Sequence, residues 1–311
     1  MMITVFTPTY NRAHLLPRLY ESLVKQTASN FEWLIIDDGS DDNTREVVAE
    51  FQNRQNAFPI IFIEQKHGGK HRAINKAVQR ANGDFFFIVD SDDWLPDGSI
   101  EQINQWINEV KDIPYICAVA GTKILSSNEL VGTTFEGRPF VDATFLERSK
   151  LNITGDKAEV FATKVLRAHP FPEFEGEFFI SEGVCWDAIC ADGYKVRWYN
   201  EPIYVCEYLE DGLTKSGAND LIGHVENFKG YSCLIRQCLR LKNSLDSYRD
   251  FKAFEETCQA KHLSIHERAE ALEWSVPHYA MYRYCAIPVI HNIKRVIYVG
   301  KTVTKMIKQS D

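Results

Sequence analysis

No excess of positive charge marks this sequence. Its 311 residues carry 35 Lys and Arg against 43 Asp and Glu, a formal charge of -8, and a general nucleic-acid binder would be basic. Its eight cysteines include no C-x-x-C pair, so zinc-ribbon and thioredoxin-like chemistry have no signature here. A chain of this length does not need disulfides to hold a core, and reduced thiols in the cytoplasm are the expectation. No apolar run is long and clean enough to span a bilayer. No basic segment and cleavage site follow Met1 and Met2, so no secretory signal is expected. A G-x-G-x-x-G turn is also missing after the first strand-like run, where Thr7-Pro8-Thr9-Tyr10-Asn11-Arg12 stands instead. That disfavours a dinucleotide-dependent oxidoreductase. Internal repeats and low-complexity segments are absent.

What is present is a regular alternation of two periods over the first hundred residues. Runs from Ile3 to Phe6, Phe31 to Ile36, Ile60 to Ile63 and Phe85 to Val89 read as buried strands. Leu15 to Lys25, Asp41 to Phe51 and His71 to Ala81 read as helices, with Asp41 and Asp42 placed to cap the second. Strands alternating with helices predict an α/β fold with a mainly parallel, Rossmann-like sheet. Ligands of such sheets bind beyond the C-terminal strand ends. Those ends carry Thr7-Pro8-Thr9-Tyr10-Asn11-Arg12, Asp37-Asp38-Gly39-Ser40 and Asp90-Ser91-Asp92-Asp93. Three polar clusters on one sheet edge point to a site more strongly than any one alone.

In order and spacing these motifs resemble the family-2 inverting glycosyltransferases. The resemblance is strong over the first hundred residues, extends less strongly to about residue 217, and fades beyond. It implies a GT-A fold in which 1–115 binds a nucleotide-sugar and 116–220 completes the same domain as the acceptor-binding part. A helical C-terminal region, 221–311, follows. It also implies that Thr7, Pro8, Tyr10, Arg12, Asp90 and Ser91 bind the donor and that Asp92 ligates Mg²⁺ or Mn²⁺, with Asp93 as an orienter. Asp38 resembles the acid that recognises the donor's pyrimidine, which favours a UDP-sugar because a carboxylate accepts the uracil imide N–H. Carboxylates suit a hard cation that stabilises a departing diphosphate.

His67-Gly68-Gly69-Lys70-His71 opens the third helix, with glycines that let backbone approach a phosphate and Lys70 to pair with it. His67 and His71 have the i, i+4 spacing of helical metal ligands, but the intervening glycines argue against a continuous helix and hence against zinc. His262 and His266 share that spacing and read as an exposed helix face. For the general base that inverting transfer requires, the family resemblance, aligned on the Val184-Cys185-Trp186-Asp187 helix, puts Glu182 at the position of the family's catalytic Asp and implies it ahead of Glu177 and Asp187. The bland reading of Glu182 is a helix-start acid favoured by the helix dipole.

Downstream, Glu207-Tyr208-Leu209-Glu210-Asp211-Gly212-Leu213-Thr214 resembles a segment from one branch of the family. From Ala286 to Lys308 apolar residues recur at helical spacing beside Lys294, Arg295, Lys301, Lys305 and Lys308. That pattern predicts an amphipathic helix at a membrane surface. The alternative is a helix packed on the domain. The expectation is a peripheral enzyme on the inner face of the cell membrane that uses a saccharide or lipid-linked saccharide acceptor and builds cell-surface polysaccharide. A catalytically inactive nucleotide-sugar-binding protein of the same fold is the alternative.

Overall fold

The computed structural model describes residues 1–207, 220–241 and 245–284. It divides into two compact units, Met1–Ser216 and Gly217–Asp311.

The first unit is built on an eight-stranded sheet. Strands β1 (Ile3–Thr9), β2 (Phe31–Asp37), β3 (Ile60–Glu64) and β4 (Phe85–Ile88) alternate with helices α1 (Leu16–Val24), α2 (Thr44–Gln52) and α3 (Lys70–Arg80). They are followed by α4 (Ser99–Val110), β5 (Ile116–Leu125), β6 (Val141–Ala143), β7 (Lys157–Ala162), α5 (Thr163–Ala168), α6 (Gly183–Ala191) and β8 (Lys195–Cys206). The strand order is β3-β2-β1-β4-β7-β5-β8-β6. β3, β2, β1 and β4 run parallel, as the alternating pattern predicts. β7 pairs antiparallel with both β4 and β5, while β5 and β8 are parallel. The parallel half therefore carries the three strand-end motifs, and the mixed half completes the sheet.

Burial explains the continuous apolar strands. All seven residues of β2 are buried, and Phe6, Trp33, Phe86 and Phe87 are among the largest fully buried side chains. A parallel sheet covered by helices on both faces has no polar side to alternate with. Helix α1 presents Leu16, Leu19, Tyr20 and Leu23 to this core, with a proline in its first turn, where no backbone donor is lost. Helix α2 starts two residues later than the acidic pair suggests. Asn43 is its N-cap residue, and Asp42 reaches forward to accept from the Thr44 amide and hydroxyl.

The second unit is helical. α7 (Leu221–Glu226), α8 (Phe228–Leu241), α9 (Leu245–Ala260) and α10 (Ile265–Ala271) are followed by a helical stretch at 276–284. Tyr231, Ile235, Phe251, Phe254, Leu272 and Tyr279 form its core. The buried Glu255 accepts from Tyr279, Arg268 and Arg283. Asp220 caps α7 and Ser264 forms a capping box with Glu267 on α10. His262 and His266 do not share a helix face. His262 adopts a left-handed backbone in the turn after α9, and His266 lies on α10. No helix among the described residues is long and apolar enough to cross a membrane. The amphipathic stretch from Ala286 to Lys308 and the 208–214 segment lie outside the described residues.

Candidate functional site

Register brings the three motifs to one edge. Thr9 is opposite Asp37, Phe6 is opposite Ile88, and the Asp38 amide donates to the Thr9 carbonyl at 2.9 Å. Asn11, with φ 53°, turns the first loop back, so that its amide donates to Ser40 Oγ and its side chain accepts from the Asp41 amide. Asp42 accepts from the Ala13 amide at 2.9 Å. These bonds stitch the first two motifs together and leave Tyr10 exposed above them.

The side chains of the acidic motif turn to two sets of partners. Asp92 Oδ2 lies 2.6 Å from Arg12 Nη1, and Asp90 lies 2.8 Å from Lys70 Nζ. Asp93 turns the other way. It accepts from the Tyr204 hydroxyl at 2.7 Å and from the Glu207 amide at 3.1 Å, while that hydroxyl accepts from the Asp90 amide. Burial pushes the Asp93 carboxyl up to about 7, and repulsion from Asp90 adds to the effect. Burial works against the Asp90 carboxylate too, but Lys70, Lys123 and Arg12 outweigh it and hold its pKa low. Ser91 is buried between these acids in sequence.

Lys70 joins the acidic motif to the second half of the unit. Its Nζ is also 3.1 Å from Glu182 Oε1. Burial disfavours the ammonium, yet Asp90 and Glu182 together hold its pKa above the usual lysine range. Glu182 is the residue just before α6 and its side chain is 41% exposed, whereas Glu177 and Asp187 are buried. Of the three base candidates, Glu182 is thus the exposed one that shares a cation with Asp90. Arg72 fixes the loop that leads to it, donating to the carbonyls of Gly68, Phe174 and Glu177. Gly69, at φ 94°, lets this approach happen: a Cβ there would fall 1.9 Å from the Phe178 carbonyl oxygen.

Asp38 is saturated with donors. Its carboxylate accepts from Gln65 Nε2 at 2.7 Å and from the Gly68 and Gly69 amides at 3.0 and 2.7 Å, and its Oδ2 lies 2.9 Å from His67 Nδ1, which also meets the Asp38 carbonyl oxygen at 3.2 Å. His67 stacks on Tyr10 with ring centroids 4.2 Å apart. Thr7 does not join the edge cluster. It is fully buried inside the sheet, where its hydroxyl accepts from Trp33 Nε1 at 2.9 Å, so its residue type serves the core. Pro8 is partly exposed in the next position of β1.

The family model of glycosyl transferase family 2 matches residues 4–159, which contain all three strand-end motifs and Lys70. The chain belongs to this family. Among curated family relatives, the glycosyltransferase GlyG of Streptococcus pneumoniae serotype 4 is 36% identical over 108 residues, covering 35% of this chain and 36% of that protein. The Staphylococcus aureus poly(ribitol-phosphate) beta-N-acetylglucosaminyltransferase TarS is 32% identical over 111 residues, 35% of this chain and 19% of TarS. Each of these matches spans well under half the relative's length. Among solved structures, Staphylococcus aureus TarS 1–349 in complex with UDP-GlcNAc superimposes with a TM-score of 0.65 at 18% identity, covering 96% of this chain and 92% of that one. A mannosyltransferase from Pyrobaculum calidifontis in complex with GDP-Man and Mn²⁺ gives 0.52 at 18% identity, covering 98% and 83%. The fold is GT-A, with a mixed, mostly parallel sheet.

The donor set fits a hard divalent cation. Among the described residues no three acids converge, but Mg²⁺ is commonly held by one or two carboxylates together with substrate phosphates. Asp92 and Asp90 are the two carboxylates that could hold it, each now paired with a cation, Arg12 and Lys70. His67 and His71 are not a metal pair. The helix begins at Lys70, after the glycines, and the His71 ring nitrogens are buried without hydrogen-bond partners among the described residues.

Two residues at this family site carry no motif. Lys123, on β5, has its ammonium 4.3 Å from the Tyr204 ring centroid and 2.7 Å from Asp156, and its charge reaches Asp90. Tyr204, on β8, braces Asp90 and Asp93 together. A charged lysine inside the mostly apolar run Ile116–Leu125 is the one available signal for the first. A tyrosine inside an apolar strand gives none.

Proposed function

We propose that this chain is an inverting, metal-dependent glycosyltransferase that moves a sugar from a nucleotide-sugar, a UDP-sugar by preference, to an acceptor hydroxyl. The observation that carries the reading is the bridge through Lys70, which brings the Asp90 end of the donor motif and the exposed Glu182 to one cation. Tyr10 offers a ring face to the base, and Asp38 offers a carboxylate to its imide once a present donor gives way. Asp92 with Asp90 would hold Mg²⁺ or Mn²⁺, which would supply Lewis-acid stabilisation to the departing diphosphate. Lys70 and Arg12 add positive charge at the same edge.

Glu182 acts as general base. It takes the proton from the acceptor hydroxyl as that oxygen bonds to the anomeric carbon, and the bond from that carbon to the nucleoside diphosphate breaks on the opposite face. The diphosphate draws Lys70 toward itself, which frees the Glu182 carboxylate to face the acceptor hydroxyl. Saccharides or lipid-linked saccharides are the acceptor class, and cell-surface polysaccharide is the product. The named activities of TarS and of the Escherichia coli glucosyltransferase WfgD, 31% identical over 133 residues, support that assignment. Peripheral association with the inner membrane face belongs to the same reading. An inactive binding protein would have no use for an exposed base candidate beside the donor acids.

The test is a screen of nucleotide-sugars for thermal stabilisation with Mn²⁺ and with EDTA, because a bound ligand raises apparent stability. UDP-sugars should raise the melting temperature only with Mn²⁺, and Asp92→Asn should abolish the gain. Equal stabilisation by UDP, CDP and GDP, or stabilisation that persists in EDTA, contradicts the proposal.

A further inference from the structure

His67 makes the two contacts that the donor-site reading assigns to the nucleobase. Its ring lies on Tyr10 with an interplanar angle of 19°, and its Nδ1 is 2.9 Å from Asp38 Oδ2. The same nitrogen is 3.2 Å from the Asp38 carbonyl oxygen, so it occupies the edge of Asp38 to which an imide N–H would be offered. Phe178 covers the opposite side of the imidazole at 5.2 Å and 13°, giving a stack of three rings. With Tyr10 and His67 at 4.2 Å, no further ring fits between them.

We infer that His67 is a built-in occupant of the base seat, displaced when the donor nucleotide binds. This rests on the donor-site reading and names the group with which the nucleotide competes. Backbone and side chain have different freedom here. The amides of Gly68 and Gly69 are bound to Asp38, and a Cβ at Gly39, where φ is +85°, would fall 2.9 Å from the His67 amide nitrogen. The main chain of His67 is thus pinned, while its side chain is 41% exposed and rotates out by a turn about χ1. When it leaves, Asp38 keeps three donors, and the oxygen facing the seat has room for the base. Phe178 loses its contact with the His67 ring in the same step. Phe178 lies in the stretch that Arg72 clamps and that leads to Glu182, so filling the seat is felt by the loop carrying the base.

Occupation by His67 lowers the apparent affinity by the fraction of molecules with an open seat. The test is calorimetric titration of UDP and of pyrophosphate, each with Mn²⁺, into wild type, His67→Ala, His67→Asn and Tyr10→Ala. His67→Asn retains a donor for Asp38 and lacks the ring, so it serves if the alanine variant is poorly folded. Losing a competing stack should tighten UDP binding by roughly three- to tenfold. Pyrophosphate affinity should not change, and Tyr10→Ala should weaken UDP binding. Unchanged or weaker UDP binding in both His67 variants, with Tyr10→Ala still weakening it, makes His67 a part of the binding site and overturns the inference alone. Equal tightening for UDP and pyrophosphate also overturns it. A Tyr10→Ala variant with wild-type UDP affinity removes the donor-site reading beneath it.

Discussion

Replacing His71 with leucine should make the protein less sensitive to acid. His71 is 2% exposed in the first turn of α3, and neither ring nitrogen has a partner among the described residues. Burial, with Arg72 adding repulsion, pushes its pKa down to about 4 from an ordinary 6.5, although Glu173 and Asp38 pull the other way. At pH 7 the ring is neutral in both folded and unfolded chains. Between pH 6.5 and 4 the unfolded chain binds a proton that the folded one refuses, so stability falls as pH falls. Each unit of pKa difference is worth about 1.4 kcal/mol, which gives about 3 kcal/mol over the window and about 2 kcal/mol by pH 5. Leucine has nearly the volume of histidine and no polar atoms, so it removes both the titration and the unpaired nitrogens. Urea unfolding at pH 7.5 and pH 5.0 measures this. The variant should gain about 2 kcal/mol on wild type between the two conditions. A difference that does not change with pH refutes the assignment of a neutral, unpartnered imidazole.

Three other substitutions separate the roles around the site. Glu182→Gln should keep UDP-sugar binding and lower transfer by roughly a hundredfold or more, the scale of a lost general base; near-normal turnover makes the residue structural and moves attention to Glu177 and Asp187. Tyr204→Phe should cost about 2 kcal/mol in denaturation, because buried Asp93 loses its donor and the Asp90 amide its acceptor; an unchanged midpoint contradicts that brace. Arg72→Met should lower kcat more than it weakens UDP binding and should expose 173–182 to proteolysis, since three carbonyls of the two loops lose a shared donor; equal loss in both parameters would instead place Arg72 on the donor.

The parallel half of the sheet was readable because its code is local. An unbroken apolar run such as Phe31–Asp37 and an amphipathic helix such as α3 need no partner to be recognised. Strand ends follow from strands, so Asp38, Asp90 and Asp92 could be located from the pattern. Insertion of β7 between β4 and β5 was not readable, because it pairs Phe86 with Phe161 across a long sequence separation that no period encodes. The same non-local step brings Tyr204 to Asp90. Residue type also hides allegiance. Thr7 belongs to a motif yet spends its hydroxyl on Trp33, and the Asp38 carboxylate is shared among three donors with His67 beside it, which only the folded loop reveals. The cap of α2 shows the limit at short range, where Asn43 occupies the cap position and Asp42 bonds past it to Thr44.

The most direct test of the metal-dependent donor site is anomalous scattering at the manganese edge from crystals grown with UDP and Mn²⁺. The account predicts one strong peak within coordination distance of Asp92, about 2.1–2.3 Å from a carboxylate oxygen, with the diphosphate completing its shell and the uracil on Tyr10 in place of the His67 ring. A nucleotide bound at this edge with no manganese peak, or a peak away from Asp90 and Asp92, contradicts it.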